Sequence, residues 1–322
     1  MNMTSALDGF LFTLKADGYS PATVDLYRIM LNTLAGFLQD QEVSEIAPND
    51  LTRYFTYLRG DYTPRRQGGN DAPLSGSTLQ NHWKTIRRFF RWAEEEFGLK
   101  SRPDARLKLP PNNPRAIMPL SEEEVKALVD GAQYSRQAET NNRHAFRMKR
   151  QTAERDTALI VLLLDTGISS GEIGRLNIKD VDLESGEIFV VPYGSSQRKT
   201  KSHVIPLGKA TRRVLSRYLT TRPEACQEEP LFLTTSRRRM NASAIRLLLK
   251  DMGDKAGVRN CHPHRLRHTF AVEYLRNDGD IFTLQMILGH SSLDMVRHYL
   301  QLVKADAKNA HRRASPADKW RM

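Results

Sequence analysis

The stretch LKLPPNNPRAIMP, residues 107–119, constrains this chain more than any other. It sets four prolines into thirteen residues. Proline locks φ, lacks the backbone N–H and clashes with the preceding turn of a helix, so neither a helix nor a central strand runs through it. The break comes about a third of the way along 322 residues, a length greater than one core usually holds. Two domains are therefore expected, at 1–106 and 120–303, with 107–119 as the linker and a tail at 304–322.

The part before the break reads as helices. SALDGFLFTLKADG places Leu7, Phe10, Leu11 and Leu14 on one helical face and stops at Gly18. The next helix opens with Ser20 as N-cap and Pro21 in its first turn, and a third covers APNDLTRYFTYLRG. After a Pro/Gly/Asn loop comes a fourth, at about 75–97. There Lys84, Arg87, Arg88 and Arg91 recur at three- and four-residue spacing opposite Trp83, Ile86, Phe90 and Ala93. Such a stripe is commonly plain solvated surface, but its spacing also suits a phosphate backbone.

Beyond the break, Ser121 and Glu124 make a capping box ahead of EVKALVDGA. DTALIVLLLDTG reads as a buried helix ending at Gly167. GEIFVVPYGSSQRKTKSHVIPL reads as a hairpin, two β-rich arms around a polar turn. Helices are expected at about 208–220, 241–255, 264–277, 281–288 and 293–303. Residues 133–152 form a polar, basic stretch with the character of a surface insertion and no assignable role. The fold class is thus mainly α, with a small antiparallel β-sheet in the C-terminal domain.

Charge narrows the function. The formal net charge is +12, which suits a polyanionic partner. Residues 1–60 carry four Lys and Arg against seven Asp and Glu, so the whole surplus lies downstream. Arginines cluster at Arg65-Arg66, Arg87-Arg88 and Arg237-Arg238-Arg239, and arginine grips phosphate in two-pronged fashion better than lysine does. Nucleic acid is favoured over a membrane surface, because no apolar run approaches the roughly 20 residues of a membrane span and no strongly basic amphipathic helix with an aromatic face stands out. Two cysteines, Cys226 and Cys261, give neither a disulfide framework nor a cysteine-based zinc motif. With no signal-peptide layout at the N-terminus, a cytoplasmic location is expected.

The chemistry concentrates near the C-terminus. HPHRLRHTFAVEYL, residues 262–275, packs three histidines and two arginines into seven positions. Downstream come LGHSS, with His290, and HYLQL, with Tyr299. Cleaving a phosphodiester by transesterification needs a nucleophile, cations on the non-bridging oxygens and a proton for the leaving 5′ oxygen. A tyrosine can attack and store the phosphate as a covalent ester. In this order and spacing the chain resembles the tyrosine recombinases, the phage-integrase, Xer and Cre-like proteins, over nearly its whole length.

That resemblance implies a two-domain clamp on duplex DNA: a helical core-binding domain, with helix 75–97 in or along the major groove, and a catalytic domain. It implies a 3′-phosphotyrosyl bond on Tyr299, His264 and Arg267 holding the scissile phosphate, and His290 hydrogen-bonded to it. Lys199 would be the hairpin general acid, although Arg198 and Lys201 compete for that position. DNA contact falls to Lys84, Arg87, Arg88, Arg91, Arg65, Arg66, Arg198 and Lys201. It also implies a dimer on each recombination site, a homo-tetramer across two sites exchanging strands through a Holliday junction, a directionality factor as accessory partner, and no metal or other cofactor. The final residues, with Trp320 as apolar anchor, would dock on a neighbouring protomer. His262, Arg265 and His268 are read as support, backbone contact or packing.

One position departs from the pattern. LLLDTGISSGEIGRL resembles the family's first-arginine box, yet it has Ser169 where the arginine belongs, while Glu172 and Asp180 still fit. A hydroxyl replaces a two-pronged cation. Loss of one transition-state donor typically costs ~10²–10³ in rate, so cleavage is expected to be weak or absent while DNA binding survives. Arg175 lies six residues on, where continued helix geometry would aim it elsewhere. Two rival readings remain: a non-catalytic DNA-binding member of the same fold, and a metal-dependent tyrosine endonuclease of the His-hydrophobic-His type. The second needs its imidazole pair on a strand, whereas HPH here leads into helical periodicity. A zinc site from His264 and His268 lacks the glutamate of the metalloprotease helix.

Overall fold

In a computed structural model of the chain, the structure describes residues 1–64, 71–112, 118–135, 138–140, 143–191 and 202–289, with Val296, Tyr299 and Ser315. The chain divides into two compact units, Met1–Ala116 and Ile117–Met322.

The first unit is helical. α1 (Met3–Ala16), α2 (Pro21–Phe37), α3 (Pro48–Gly60) and α4 (Gly76–Phe97) surround one core. The caps follow from local chemistry. Asn2, Ser20 and Ser75 each accept a first-turn N–H, and Pro21 has no N–H to leave unpaired. Gly98 ends α4 in the left-handed conformation at φ 61°. The apolar face of α4 is fully buried through Ile86, Phe89, Phe90 and Ala93, and Phe10 meets Phe89 edge to face at 5.6 Å. Among these rings sits a buried polar pair: His82 Nδ1 lies 3.0 Å from the Tyr54 hydroxyl. The start of the proline-rich stretch is tied to α4, because Trp83 Nε1 donates to the Leu107 carbonyl and Gln80 Nε2 to that of Pro110, both at 2.9 Å.

The second unit mixes helices with two small sheets. Its helices are α5 (Glu122–Gln133), α6 (Ala153–Thr166), α7 (Ser170–Ile173), α8 (Lys209–Leu219), α9 (Ala242–Ala256), α10 (Pro263–Arg276) and α11 (Ile281–Ile287). α6 is central, in contact with α5, α8 and α10. Ala158, Leu159, Ile160, Leu162 and Leu163 are wholly buried on it. Asp165, at its end, accepts from Gly208 N at 2.8 Å and Thr211 Oγ1 at 2.6 Å, so its carboxylate caps α8.

The anticipated hairpin arms are β4 (Glu187–Val190) and β5 (His203–Pro206), paired antiparallel with Ile188 opposite Ile205. β3 (Val181–Asp182) adds a third strand on the β4 side. Residues 192–201, with Lys199, Arg198 and Lys201, lie outside the described residues, as do Arg65, Arg66, His290 and most of the expected helix at 293–303.

The stretch 133–152 contains a second sheet, the hairpin β1 (Ala138–Thr140) and β2 (Arg143–Phe146). At its base, Arg147 pairs with Asp130 at 2.6 Å and lies over the Tyr134 ring, Lys149 pairs with Glu154, and Arg150 reaches the buried Asp156. These cations anchor the hairpin. Among the described residues no helix is long and apolar enough to cross a membrane.

Candidate active site

The site is built around the first turns of α10. Pro263 opens the helix, and the His262 side chain caps it by accepting the Arg265 N–H at Nδ1, 3.1 Å away. His264, Arg267 and His268 stand at i, i+3 and i+4 and therefore share one face. Arg265 points elsewhere, tied to Glu124 at 3.0 Å and to the carbonyls of Met118 and Arg259. His262 and Arg265 are thus engaged in contacts within the fold.

Arg267 joins three segments. Its Nη1 donates to the Gly167 carbonyl and its Nη2 to that of Leu288, each at 2.7 Å. Its side chain also hydrogen-bonds that of Tyr299. Burial lowers the guanidinium pKa, while the charges of Glu172 and Tyr299 act in the opposite direction. One arginine therefore links the turn after α6, the Leu288-Gly289 turn directly before His290, and the tyrosine. Both turns are tight. Gly167 has φ 60°, and a Cβ there would fall 2.4 Å from Phe270 Cδ1; Gly289 has φ 63°, and a Cβ there would lie 3.0 Å from His203 Cε1.

Tyr299 is only 3% exposed. Burial raises its phenol pKa, and the charge and hydrogen bond of Arg267 oppose the rise. Its ring meets that of His268 edge-on, with centroids 5.1 Å apart at 68°. His268 Nε2 in turn lies 3.2 Å from His264 Nε2. His264 is exposed, and its pKa is lowered by partial desolvation, then by the Arg267 charge and by His262. Sequence reasoning missed the part His268 plays between these two side chains. The signal for it was the i, i+4 spacing from His264.

Ser169 is the N-cap of α7. Its Oγ accepts the Glu172 N–H at 3.2 Å, and the Glu172 carboxylate accepts the Ser169 N–H at 2.8 Å. Glu172 is 6% exposed. Helix α7 ends at Ile173, and Arg175 folds back so that its Nη1 donates to the Gly171 carbonyl at 2.8 Å. Asp180 has a local role, accepting the Asn177 N–H at 2.7 Å.

The stripe on α4 is only partly available. Arg87 lies 3.5 Å from the buried Asp104 and over the Trp83 ring. Arg88 lies over Tyr19 and 4.0 Å from Asp17. Lys84 and Arg91 are exposed, and no ion pair engages them among the described residues. Among those residues no group of three or more His, Cys, Asp or Glu is placed to hold a metal ion. The HPH pair sits at a helix start, not on a strand.

Residues 119–306 match the Phage integrase family, and residues 9–107 match the Phage integrase SAM-like domain. The chain belongs to the phage integrase family of tyrosine recombinases. It is 28% identical over 306 residues to the tyrosine recombinase XerC of Alcanivorax borkumensis, covering 94% of this chain and 90% of that protein. Among solved structures, the Tn1549 transposon integrase in complex with transposon right end DNA superimposes with a TM-score of 0.73 at 17% identity, over 96% of this chain and 99% of the other. XerH bound to its palindromic difH substrate gives 0.65 at 21% identity, over 94% and 82%. At those identities the structures establish the shared fold, mainly helical with a small antiparallel sheet.

Proposed function

We propose that this chain is a site-specific DNA recombinase of the tyrosine type, slowed at the cleavage step by Ser169. The Tyr299 oxygen attacks the scissile phosphorus and forms a 3′-phosphotyrosyl ester as the bond to the 5′ oxygen breaks. The phenol proton passes to water, and the leaving 5′ oxygen gains a proton from residues 192–201 to become the free hydroxyl, with Lys199 as first candidate and Arg198 and Lys201 beside it. Arg267 and His264 hold the non-bridging oxygens, with His290 as a further hydrogen-bond partner. Religation reverses the step on a partner strand, so the ester conserves the bond energy and the reaction calls for no cofactor.

The observation that carries this reading is the convergence on Arg267, whose guanidinium holds the segment leading to position 169, the segment leading to position 290 and the Tyr299 hydroxyl. A positive charge beside a phenol also stabilises the phenolate that must form. The missing second cation weakens the same step. Ser169 spends its hydroxyl on a helix cap, and one neutral donor replaces what would be a two-pronged charge.

Duplex DNA is the partner, bound through Lys84, Arg87, Arg88 and Arg91 on α4 and through Arg65, Arg66, Arg198 and Lys201. Two protomers occupy each recombination site and four assemble across two sites, passing through a Holliday junction. The tail from 304 docks on a neighbouring protomer, and an accessory factor sets direction. The test is a duplex nicked beside the scissile phosphate, carrying a sequence selected by the protein's own binding. A covalent adduct mapped by mass spectrometry to Tyr299, and lost in Tyr299→Phe, is expected. An adduct that survives Tyr299→Phe contradicts the mechanism. Tight DNA binding with no adduct, even after Ser169→Arg, identifies a non-catalytic DNA-binding member of the fold.

A further inference from the structure

We propose that His268 is a positioning residue for strand cleavage, holding the Tyr299 ring from one side and fixing the proton of His264 from the other. This rests on the roles given above to Tyr299 and His264.

The geometry has two halves. Toward the tyrosine, the His268 and Tyr299 rings meet edge-on at 5.1 Å, while the phenol end is hydrogen-bonded to Arg267. A ring held both along its edge and at its hydroxyl has its oxygen aimed, and an aimed nucleophile loses rate steeply when it is displaced by about an ångström. Toward the histidine, the two Nε2 atoms are 3.2 Å apart and the ring centroids 4.5 Å apart. Only one proton fits on that line, so one imidazole donates and the other accepts.

The chemistry of the phosphate chooses between the two arrangements. If His264 donates to His268, its remaining nitrogen, Nδ1, carries a lone pair and repels a non-bridging oxygen. If His268 donates, the His264 proton sits on Nδ1 and can be given to that oxygen. The second arrangement alone lets a neutral His264 serve the phosphate. The lowered His264 pKa, caused first by desolvation and then by the nearby Arg267 charge, agrees with a neutral ring. His268 therefore sets which nitrogen of its neighbour is the donor, a role that a packing residue does not have.

Two substitutions separate the halves, each made in the Ser169→Arg background so that cleavage is strong enough to time. His268→Phe keeps a flat ring against Tyr299 and removes the nitrogen facing His264. His268→Gln removes the ring and keeps an amide N–H at comparable reach. Expected for His268→Phe are a roughly 10-fold to 10²-fold slower single-turnover adduct rate, DNA affinity within twofold of the parent, and a changed ¹⁵N pattern of the His264 ring showing loss of the Nδ1–H form. His268→Gln is expected to retain the His264 pattern and to fall between parent and His268→Phe in rate.

A His268→Phe protein that matches the parent in both rate and His264 ring shifts overturns the proposal and leaves His268 as packing. The ring shifts are read without DNA cleavage. If the Ser169→Arg parent forms no Tyr299 adduct, the recombinase reading fails, while the shifts still decide whether His268 directs His264.

Discussion

Ser169 and Glu172 close a reciprocal pair of hydrogen bonds, hydroxyl to one backbone N–H at 3.2 Å and carboxylate to the other at 2.8 Å. Ser169, for which we propose the place of the family's arginine, thus starts a helix, and the Glu172 it holds lies close enough to act electrostatically on Arg267. Ser169→Ala should cost about 1 kcal/mol of stability, as N-cap losses typically do. The cleavage rate should stay within about threefold, because a single neutral hydroxyl contributes little where a two-pronged charge is called for. Urea unfolding and adduct timing on the same samples check both halves.

Arg267 is the point where three segments meet. Arg267→Lys keeps one positive charge but cannot donate to the Gly167 and Leu288 carbonyls and to Tyr299 together, since an ammonium lacks the planar fork. Adduct formation should fall at least ~10²-fold. Stability should also drop by about 1–3 kcal/mol as a buried carbonyl loses its donor. A Lys variant that cleaves at the parent rate would show that charge alone suffices.

His82 supplies a pH dependence in the first unit. It is 5% exposed and hydrogen-bonded to the Tyr54 hydroxyl, and burial lowers its pKa from 6.5 to about 4. The unfolded chain therefore binds more protons than the folded one between those values, so stability falls as the pH drops from about 6.5 toward 4 and is flat, for this group, above 6.5. The full effect is about 3 kcal/mol, with about 2 kcal/mol lost by pH 5. His82→Gln should flatten this slope in urea unfolding of the full chain. An unchanged slope would assign the dependence to other groups.

On α4, exposure separates cations that bind outward from those that hold the fold. Lys84→Ala and Arg91→Ala should each weaken DNA binding across all sequences, lower the salt slope by about 1 and leave stability within about 0.5 kcal/mol. Arg87→Ala should also destabilise the chain, because Asp104 is completely buried and, among the described residues, would keep Arg102 as its remaining ion-pair partner. Binding titrations at several salt concentrations, paired with unfolding curves, distinguish the two groups.

What could be read from residue order alone was what local chemistry determines. Ser20-Pro21 and the Ser121/Glu124 box start α2 and α5 where they should, because a cap is decided within four residues. The β4 and β5 arms followed from β-branched residues flanking a polar turn. The hairpin at 138–146 was not legible, since its residues are mostly polar and show no alternation, and its anchors, Asp130, Glu154 and Asp156, lie outside the strands. Arg87 and Arg88 read as phosphate contacts, and their partners Asp104, Trp83, Asp17 and Tyr19 were not legible, because periodicity shows a face but not what lies opposite it. The sequence leaves His268 among support, backbone contact and packing, because its contact with Tyr299 spans about thirty residues. Ser169 showed both natures at once. The Ser-x-x-Glu capping signature was present in the sequence, but the missing arginine dominated the reading.

The proposed cleavage depends on Tyr299 as a nucleophile served by one strong cation where two are called for. The most direct measurement is the single-turnover yield of Tyr299–DNA adduct on a nicked duplex, comparing the chain as it stands with Ser169→Arg. An increase of ~10²-fold or more in rate on restoring the arginine, abolished by Tyr299→Phe, is the predicted result. Equal, abundant adduct from both proteins would contradict it.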